Sequence, residues 1–313
     1  MPATILSGRK LAKTMRKELS AQVAAFKERT GVTPTIALVR AGDDPASVNY
    51  AGVIEKGFLN RGMRFVPRIL PATVTQQELV DTVGALNADP AIHGIIIQEP
   101  LPRQAAGSPG IDPSAIKAAL SPDKDVDGVH PLNSGRLAQA APVGRPAGVE
   151  AYFVPATPAG GLEILKRYDI ALTGKHAVVV GRSTIVGKPM ALLLLRENAT
   201  VTLCHSRTAD LPAVCRQADI LCAAVGRARM IKGDWIKPGA IVIDFGVNFV
   251  DGKMCGDVDY AQAVEVAAMI TPVPGGAGPM TNVMLMRNVL QAAERQIGAW
   301  ETAEKKGGVS FAL

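Results

Sequence analysis

Four stretches of the chain carry residue types at spacings that suit chemistry on small molecules: SVNYAGVIEKG, GIIIQEPLP, PDKDVDGVHP and VVVGRSTIVGKP, the last followed much later by TPVPGGAGPMT. The most readable is the turn from Gly181 to Gly187. Aliphatic residues precede it and a helix pattern follows, so the helix would aim free N–H groups and a partial positive charge at the turn, as a dinucleotide phosphate requires. Ser183 stands at the second glycine position of G-x-G-x-x-G and Val186 at the third. The pattern alone is therefore weak, and its strand-to-helix setting carries the reading. The next strand ends in CHSRT, with no acid for the ribose hydroxyls; Ser206, Arg207 and the loop residue Arg182 stand there instead. A hydroxyl with guanidinium groups suits a 2′-phosphate that a carboxylate would repel, so NADP is preferred to NAD. The candidate cofactor residues are Gly181, Arg182, Ser183, Ile185, Gly187, Ser206 and Arg207.

These residues need elements to hold them. Leu11, Met15, Leu19, Val23 and Phe26 recur at helical spacing from Gly8 to about Glu28, and TPTIALVRAG follows as a buried strand. A helix begins near Pro45, MRFVPRIL reads as a second strand, and Thr75 with Glu78 forms a capping-box pattern ahead of the next helix. IHGIIIQEPLP is an aliphatic strand ending at Gln98. Strand alternating with helix argues for parallel sheet, in which ligands bind at the carboxyl ends of the strands. A Gly-, Pro- and Ala-rich segment at 137–161 reads as a domain crossing with a loop. Beyond it, GKHAVVVG, ATVTLCHSRT, ADILCAAVG, GAIVIDFGVN and AMITPVPGG supply strands, and PMTNVMLMRNVLQAAERQI a long helix expected to return to the first domain. The tail from Glu304 is expected to fray.

Composition narrows the class. With 313 residues, 48% of them hydrophobic and 20% charged, the chain is long enough for two domains. The net charge of +6 comes from scattered Lys and Arg, and only 4% of residues are aromatic, so no nucleic-acid surface is expected. Cys204, Cys215, Cys222 and Cys255 match neither a zinc pattern nor a disulfide framework; no metal and a reducing cytoplasm are expected. No apolar run approaches the roughly 20 residues that span a bilayer, and Met1–Leu6 is too short for a signal core.

Taken together, GRSTIVGKPMALLL, PDKDVDGVHPLNSGRL, GIIIQEPLP and TPVPGGAGPMT resemble the methylenetetrahydrofolate dehydrogenase/cyclohydrolase family, over about residues 4–295. The resemblance implies an α/β protein of two domains: a folate domain, 1–150, completed by the C-terminal helix, 280–313, and a Rossmann-type NADP domain, 151–279, with a cleft between them and a homodimeric assembly. It implies oxidation of 5,10-methylenetetrahydrofolate with NADP, then hydrolysis of the methenyl product to 10-formyltetrahydrofolate. By position, Tyr50 corresponds to a folate-stacking tyrosine, Gln98 to a glutamine at the catalytic centre, and Asp127 to the pterin anchor. An aromatic face suits a flat ring, and a carboxylate accepts paired hydrogen bonds from an amino-pyrimidine edge. Pro274, Gly275 and Gly278 correspond to the loop lining the folate site, and Thr157 lies in the family's PCTPxG segment, whose cysteine is here Ala156. Arg182 and Ser206 correspond to the 2′-phosphate contacts already argued from charge.

The chain departs from the family at two positions. Where the family carries Tyr-x-x-x-Lys-x-Lys, this chain reads Tyr50, Ile54 and Lys56, so an aliphatic side chain takes the place of the proton-handling lysine. On a helix, Ile54 lies about 40° from Tyr50 and Lys56 about 200° from Ile54, so Lys56 points elsewhere. Glu99 replaces a leucine beside Gln98 and is expected to face solvent, because adjacent strand residues point to opposite faces. The expected activity is NADP-dependent dehydrogenation with the cyclohydrolase step weak or lost. A fully bifunctional enzyme and a non-catalytic folate- and NADP-binding paralogue are the alternatives.

Overall fold

A computed structural model describes residues 2–102, 110–144 and 152–305. In chain order the elements are β1 (Thr4–Ile5), α1 (Gly8–Thr30), β2 (Thr35–Ala41), α2 (Pro45–Leu59), β3 (Arg64–Leu70), α3 (Gln76–Ala88), β4 (Gly94–Ile97), α4 (Pro113–Ala119) and α5 (Pro131–Gln139). There follow α6 (Ala156–Arg167), β5 (His176–Val180), α7 (Gly187–Arg196), β6 (Thr200–Cys204), α8 (Leu211–Cys215), β7 (Ile220–Ala223), β8 (Ile241–Asp244), the hairpin β9 (Asn248–Val250) and β10 (Lys253–Cys255), α9 (Tyr260–Ala263), β11 (Met269–Ile270) and α10 (Ala277–Lys305). Contacts divide the chain into two compact units, residues up to 15 with 132–284, and 16–131 with the chain from 285 onward. The sequence-based crossing at residue 150 lies in 145–151, outside the described residues, and residues 132–144 group with the first of these units.

In the second unit a three-stranded parallel sheet runs β3-β2-β4. The middle strand β2 is buried along its whole length, which is why residues 36–39 at its centre form a continuous aliphatic run rather than an alternating one. β3 keeps Pro67 because it lies at the edge, where one side of the backbone needs no ladder partner. Thr75 and Glu78 form the expected capping box, the Glu78 N–H donating to Thr75 Oγ1 at 3.2 Å and the Thr75 N–H to Glu78 Oε2 at 2.8 Å. One core gathers Val39, Leu79, Val83, Ile95 and Ile116 between sheet and helices.

In the first unit a parallel sheet runs β1-β11-β8-β7-β5-β6. β1 is too short for a periodic signal and was not expected; it pairs with β11 from the far end of the chain. The segment 137–161 is not simply a loop, because α5 ends inside it and α6 begins inside it. Gly160 and Gly161, which read as loop formers, lie within α6 for a packing reason. A Cβ on Gly160 would come within 2.9 Å of Met280 Cβ, and one on Gly161 within 2.3 Å of the Phe245 ring. α10 runs from the first unit into the second, where Asn288 donates to the Val126 carbonyl at 2.8 Å and Gln296 to the His93 carbonyl at 2.8 Å. It continues to Lys305, past the expected fraying point at Glu304, and 306–313 lie outside the described residues. Among the described residues no helix is long and apolar enough to cross a membrane.

Candidate active site

The site residues of the second unit gather around α2. Asp44 caps this helix, accepting the Ser47 N–H at 2.9 Å, and Pro45 at its start has no N–H to leave unpaired. Ser47, Ile54 and Phe58 form the buried face. Ile54 is 0% exposed, a core side chain rather than a surface one. Tyr50 sits one turn before it with 38% of its surface exposed. Burial around the hydroxyl, and then the Asp127 carboxylate, hold the Tyr50 phenol well above its ordinary pKa, so it stays protonated. Tyr50 and Asp127 therefore lie within electrostatic reach of each other.

Gln98 follows β4, and its N–H continues the sheet by donating to the Val39 carbonyl at 2.9 Å. Its side chain is only 6% exposed. Nε2 donates to the Ser47 carbonyl at 2.7 Å, which fixes the amide orientation, because only the NH₂ end can pair with a carbonyl. Oε1 is buried and, among the described residues, has no hydrogen-bond partner. A buried acceptor without a donor costs free energy, so this one is poised for a donor that arrives with a ligand. Ser47 carried a spacing signal that the sequence reading missed: it stands three residues before Tyr50, one helical turn away.

The DVDG turn is built by its first aspartate. Asp125 accepts the Val129 N–H at 3.0 Å and the His130 N–H at 2.8 Å, and Asn288 holds the Val126 carbonyl from α10. Asp125 thus shapes the turn, in which Asp127 is half-buried. Glu99 is exposed to solvent, 45% at its side chain, and also pairs with Lys117 of α4 at 2.7 Å.

In the first unit the glycine turn lies between β5 and α7. Gly181 has φ +125°, and a Cβ there would stand 2.0 Å from the Ala224 carbonyl oxygen. A Cβ on Gly187 would stand 1.9 Å from the Gly181 oxygen, so two glycines let turn and helix close on each other. Ser183 Oγ accepts the Val186 and Gly187 N–H groups at 3.2 Å each, capping α7 from within the turn. Val180 pairs with Cys204 in the sheet, and the Gly181 N–H donates to the Cys204 carbonyl at 2.9 Å. Arg182 and Ser206 each lie two residues beyond that pair, so both follow the same end of the sheet, with Arg207 next in the chain. His205, not singled out in the sequence, holds this loop through Nδ1, which accepts the Arg207 N–H at 3.1 Å. Arg182, Ser183, Ile185, Ser206 and Arg207 are all exposed. A tight glycine turn, a helix start and two arginines with no acid at the strand end fit a phosphorylated dinucleotide.

Thr157 is half-buried near the start of α6, where its hydroxyl accepts from Thr281 Oγ1 at 3.3 Å. Pro274 and Gly275 follow β11 and Gly278 opens α10; all three belong to this unit, whereas Tyr50, Gln98 and Asp127 belong to the other. Gly275 has φ +114° and its carbonyl accepts the Arg9 N–H at 2.9 Å, while a Cβ on Gly278 would meet nothing within 4 Å. The four cysteines are free, and among the described residues no cluster of His, Cys, Asp and Glu could hold a metal ion.

Comparison with known proteins agrees with both units. Residues 6–127 match the tetrahydrofolate dehydrogenase/cyclohydrolase catalytic domain, and residues 155–297 the NAD(P)-binding domain of the same family. The chain is 53% identical over 300 residues to the bifunctional protein FolD of Roseiflexus sp. (strain RS-1), covering 96% of this chain and 99% of that one. It is 48% identical over 300 residues to the FolD of Geobacillus thermodenitrificans, covering 96% and 100%. Among solved structures, the bifunctional FolD enzyme of Campylobacter jejuni superposes with a TM-score of 0.87 at 38% identity, covering 94% of this chain and 99% of that one. The Trypanosoma brucei enzyme, complexed with NADP cofactor and inhibitor, superposes with a TM-score of 0.85 at 37% identity, covering 95% and 99%.

Proposed function

Because the chain belongs to the tetrahydrofolate dehydrogenase/cyclohydrolase family, we propose that it oxidises 5,10-methylenetetrahydrofolate with NADP to the 5,10-methenyl form and hydrolyses that product weakly or not at all. Ile54 carries the second half of this reading. The residue one helical turn beyond Tyr50 is fully buried and aliphatic, able neither to donate, to accept nor to hold charge. Lys56 is exposed, about 200° around the helix from it, and cannot substitute.

Oxidation asks less of position 54 than hydrolysis does. Bound NADP supplies the hydride acceptor, and the chain's task is to hold two rings in register. Tyr50 offers an aromatic face, Asp127 a pair of acceptors for an amino-pyrimidine edge, and Gln98 Oε1 a lone pair for a donor. Hydrolysis requires a proton to leave the attacking water, and positioned acid–base assistance is worth roughly 10² to 10⁴ in rate. Loss of methenyltetrahydrofolate, followed without NADP, tests the reading. We expect decay close to the buffer rate; rapid hydrolysis undiminished by Gln98→Ala would exclude both the inference and the site.

One observation favours full bifunctionality instead: the unpaired Gln98 Oε1 could orient a water unaided, and the relatives are named bifunctional. Ile54→Lys separates the two readings, since a large gain in hydrolysis supports loss and no change supports compensation.

We assign the active form as a homodimer. The hairpin of β9 and β10 leaves Phe249 68% and Met254 39% exposed as a cross-strand pair, beside Val247, and such a patch suits a second copy of the chain. Light scattering of Phe249→Asp should report monomer where the parent reports dimer.

A further inference from the structure

The ends of β7, β8 and β11 are tied together by two buried carboxylates that no sequence motif announced. Asp257 is 0% exposed and accepts four hydrogen bonds. Oδ2 takes the N–H groups of Val225 at 2.6 Å and Gly226 at 3.0 Å; Oδ1 takes the Arg227 N–H and the Asn248 side-chain amide, both at 2.9 Å. Three successive backbone N–H groups converging on one anion form a nest of the kind that binds phosphates, filled here from inside the protein.

Asp257 is itself held in place. Its N–H donates to Asp244 Oδ1 at 3.0 Å, and its carbonyl accepts the Ile231 N–H at 3.0 Å. Asp244, closing β8, also takes the Gly246 and Val258 N–H groups at 2.8 and 2.9 Å, while its own N–H donates to Thr271 Oγ1 beyond β11 at 2.8 Å. The packing leaves no slack, since a Cβ on Gly256 would lie 1.8 Å from Asp244 Oδ2.

The loop that Asp257 holds faces the glycine turn. β5 and β7 are neighbours at the point where the strand order reverses, which is where open α/β sheets bind dinucleotides. Ala224, the first residue of the loop, presents the carbonyl that forbids a side chain at Gly181. The segment Ala224–Arg227 is therefore the second wall of the crevice, and among the described residues its N–H groups at 225, 226 and 227 are anchored by Asp257 alone.

We propose that Asp257 is a positioning residue for the dinucleotide: through its four hydrogen bonds it sets the second wall of the cofactor crevice, without touching the reacting atoms. The proposal rests on the reading of the glycine turn as the cofactor site. Calorimetric titration of NADP into the cofactor-free protein tests it, with steady-state kinetics alongside. Asp257→Asn replaces one acceptor with a donor facing donors. It should raise Kd and KM for NADP about 10- to 100-fold, with kcat held within about threefold, because misplacing a binding wall by an ångström has effects of that size. Asn248→Ala removes a single contact and should raise Kd by a smaller factor, roughly threefold or more. A folded Asp257→Asn protein with the parent's Kd, however low its melting temperature, would overturn the proposal. If that variant does not fold, an unchanged Kd in Asn248→Ala overturns it. A parent protein that binds no NADP at all would instead overturn the cofactor reading on which the proposal rests.

Discussion

Two buried polar sites, one in each unit, are built in opposite ways. Around Asp244 and Asp257 each carboxylate oxygen has at least one donor, most of them backbone N–H groups of neighbouring loops. At Gln98 one end of the amide is tied to Ser47 and the other is buried with no partner among the described residues. A satisfied buried group lowers the free energy of one backbone arrangement and so shapes a wall; an unsatisfied one raises the free energy of the unliganded state until a donor arrives. Asp244 and Asp257 hold loop backbone in place, whereas Gln98 keeps one acceptor open.

The largest effect should come from restoring charge where α2 is purely apolar. Ile54→Lys is expected to raise methenyltetrahydrofolate hydrolysis by about 10² to 10⁴, at some cost in stability because the site it enters is fully buried.

Next, removing each kind of polar group should separate stability from turnover. Asp244→Ala leaves three backbone N–H groups without their acceptor and should cost about 3 kcal/mol or more by denaturant titration. Gln98→Met gives up one hydrogen bond but also removes the unpaired oxygen, so stability should change by no more than about 1 kcal/mol. Its dehydrogenase rate should nevertheless fall clearly. Equal losses of stability in the two variants would break the comparison.

Two buried groups, Asp244 in one unit and His93 in the other, should also respond to acid with opposite sign. Burial pushes the Asp244 carboxyl up to about 6, outweighing its three N–H donors, with Asp257 adding to the rise. Its folded pKa exceeds the unfolded one, so its contribution is full below about pH 4 and is lost as pH rises through 6. His93 is shifted down to about 4 by burial and then by the Lys124 ammonium, with Asp89 opposing. Its Nδ1 accepts the Thr35 N–H at 3.2 Å, so protonation would also remove that acceptor. Its contribution is full above about pH 6.5 and is lost as pH falls through 4. Between those limits the two slopes oppose each other. Melting temperatures at pH 4.5 and 7 should show Asp244→Asn becoming more acid-sensitive than the parent, and His93→Asn less.

The smallest effect is expected at Glu99 and Lys117. This ion pair is partly exposed, and a double-mutant cycle should return between 0 and about 1 kcal/mol.

Much of this was legible in the residues alone. The helical spacing from Leu11 to Phe26, the capping box at Thr75 and the uniform burial of β2 are local, and local periodicity reports them. The glycine turn, the acid-free end of β6 and Ile54 one turn beyond Tyr50 were equally readable, because backbone sterics and charge are properties of short segments. Other features were not. Gly160 and Gly161 read as loop residues until Met280 and Phe245 were seen packed against them. Glu99 found Lys117, Gln98 found the Ser47 carbonyl, and Asp257 gathered N–H groups some 30 positions earlier. What the sequence by itself determined was the family, the order of elements and the chemistry available at each position, since these follow from residue type and short-range spacing. Only the tertiary structure decided which buried polar atoms are satisfied and which are left open, because that depends on donors and acceptors brought together from distant parts of the chain.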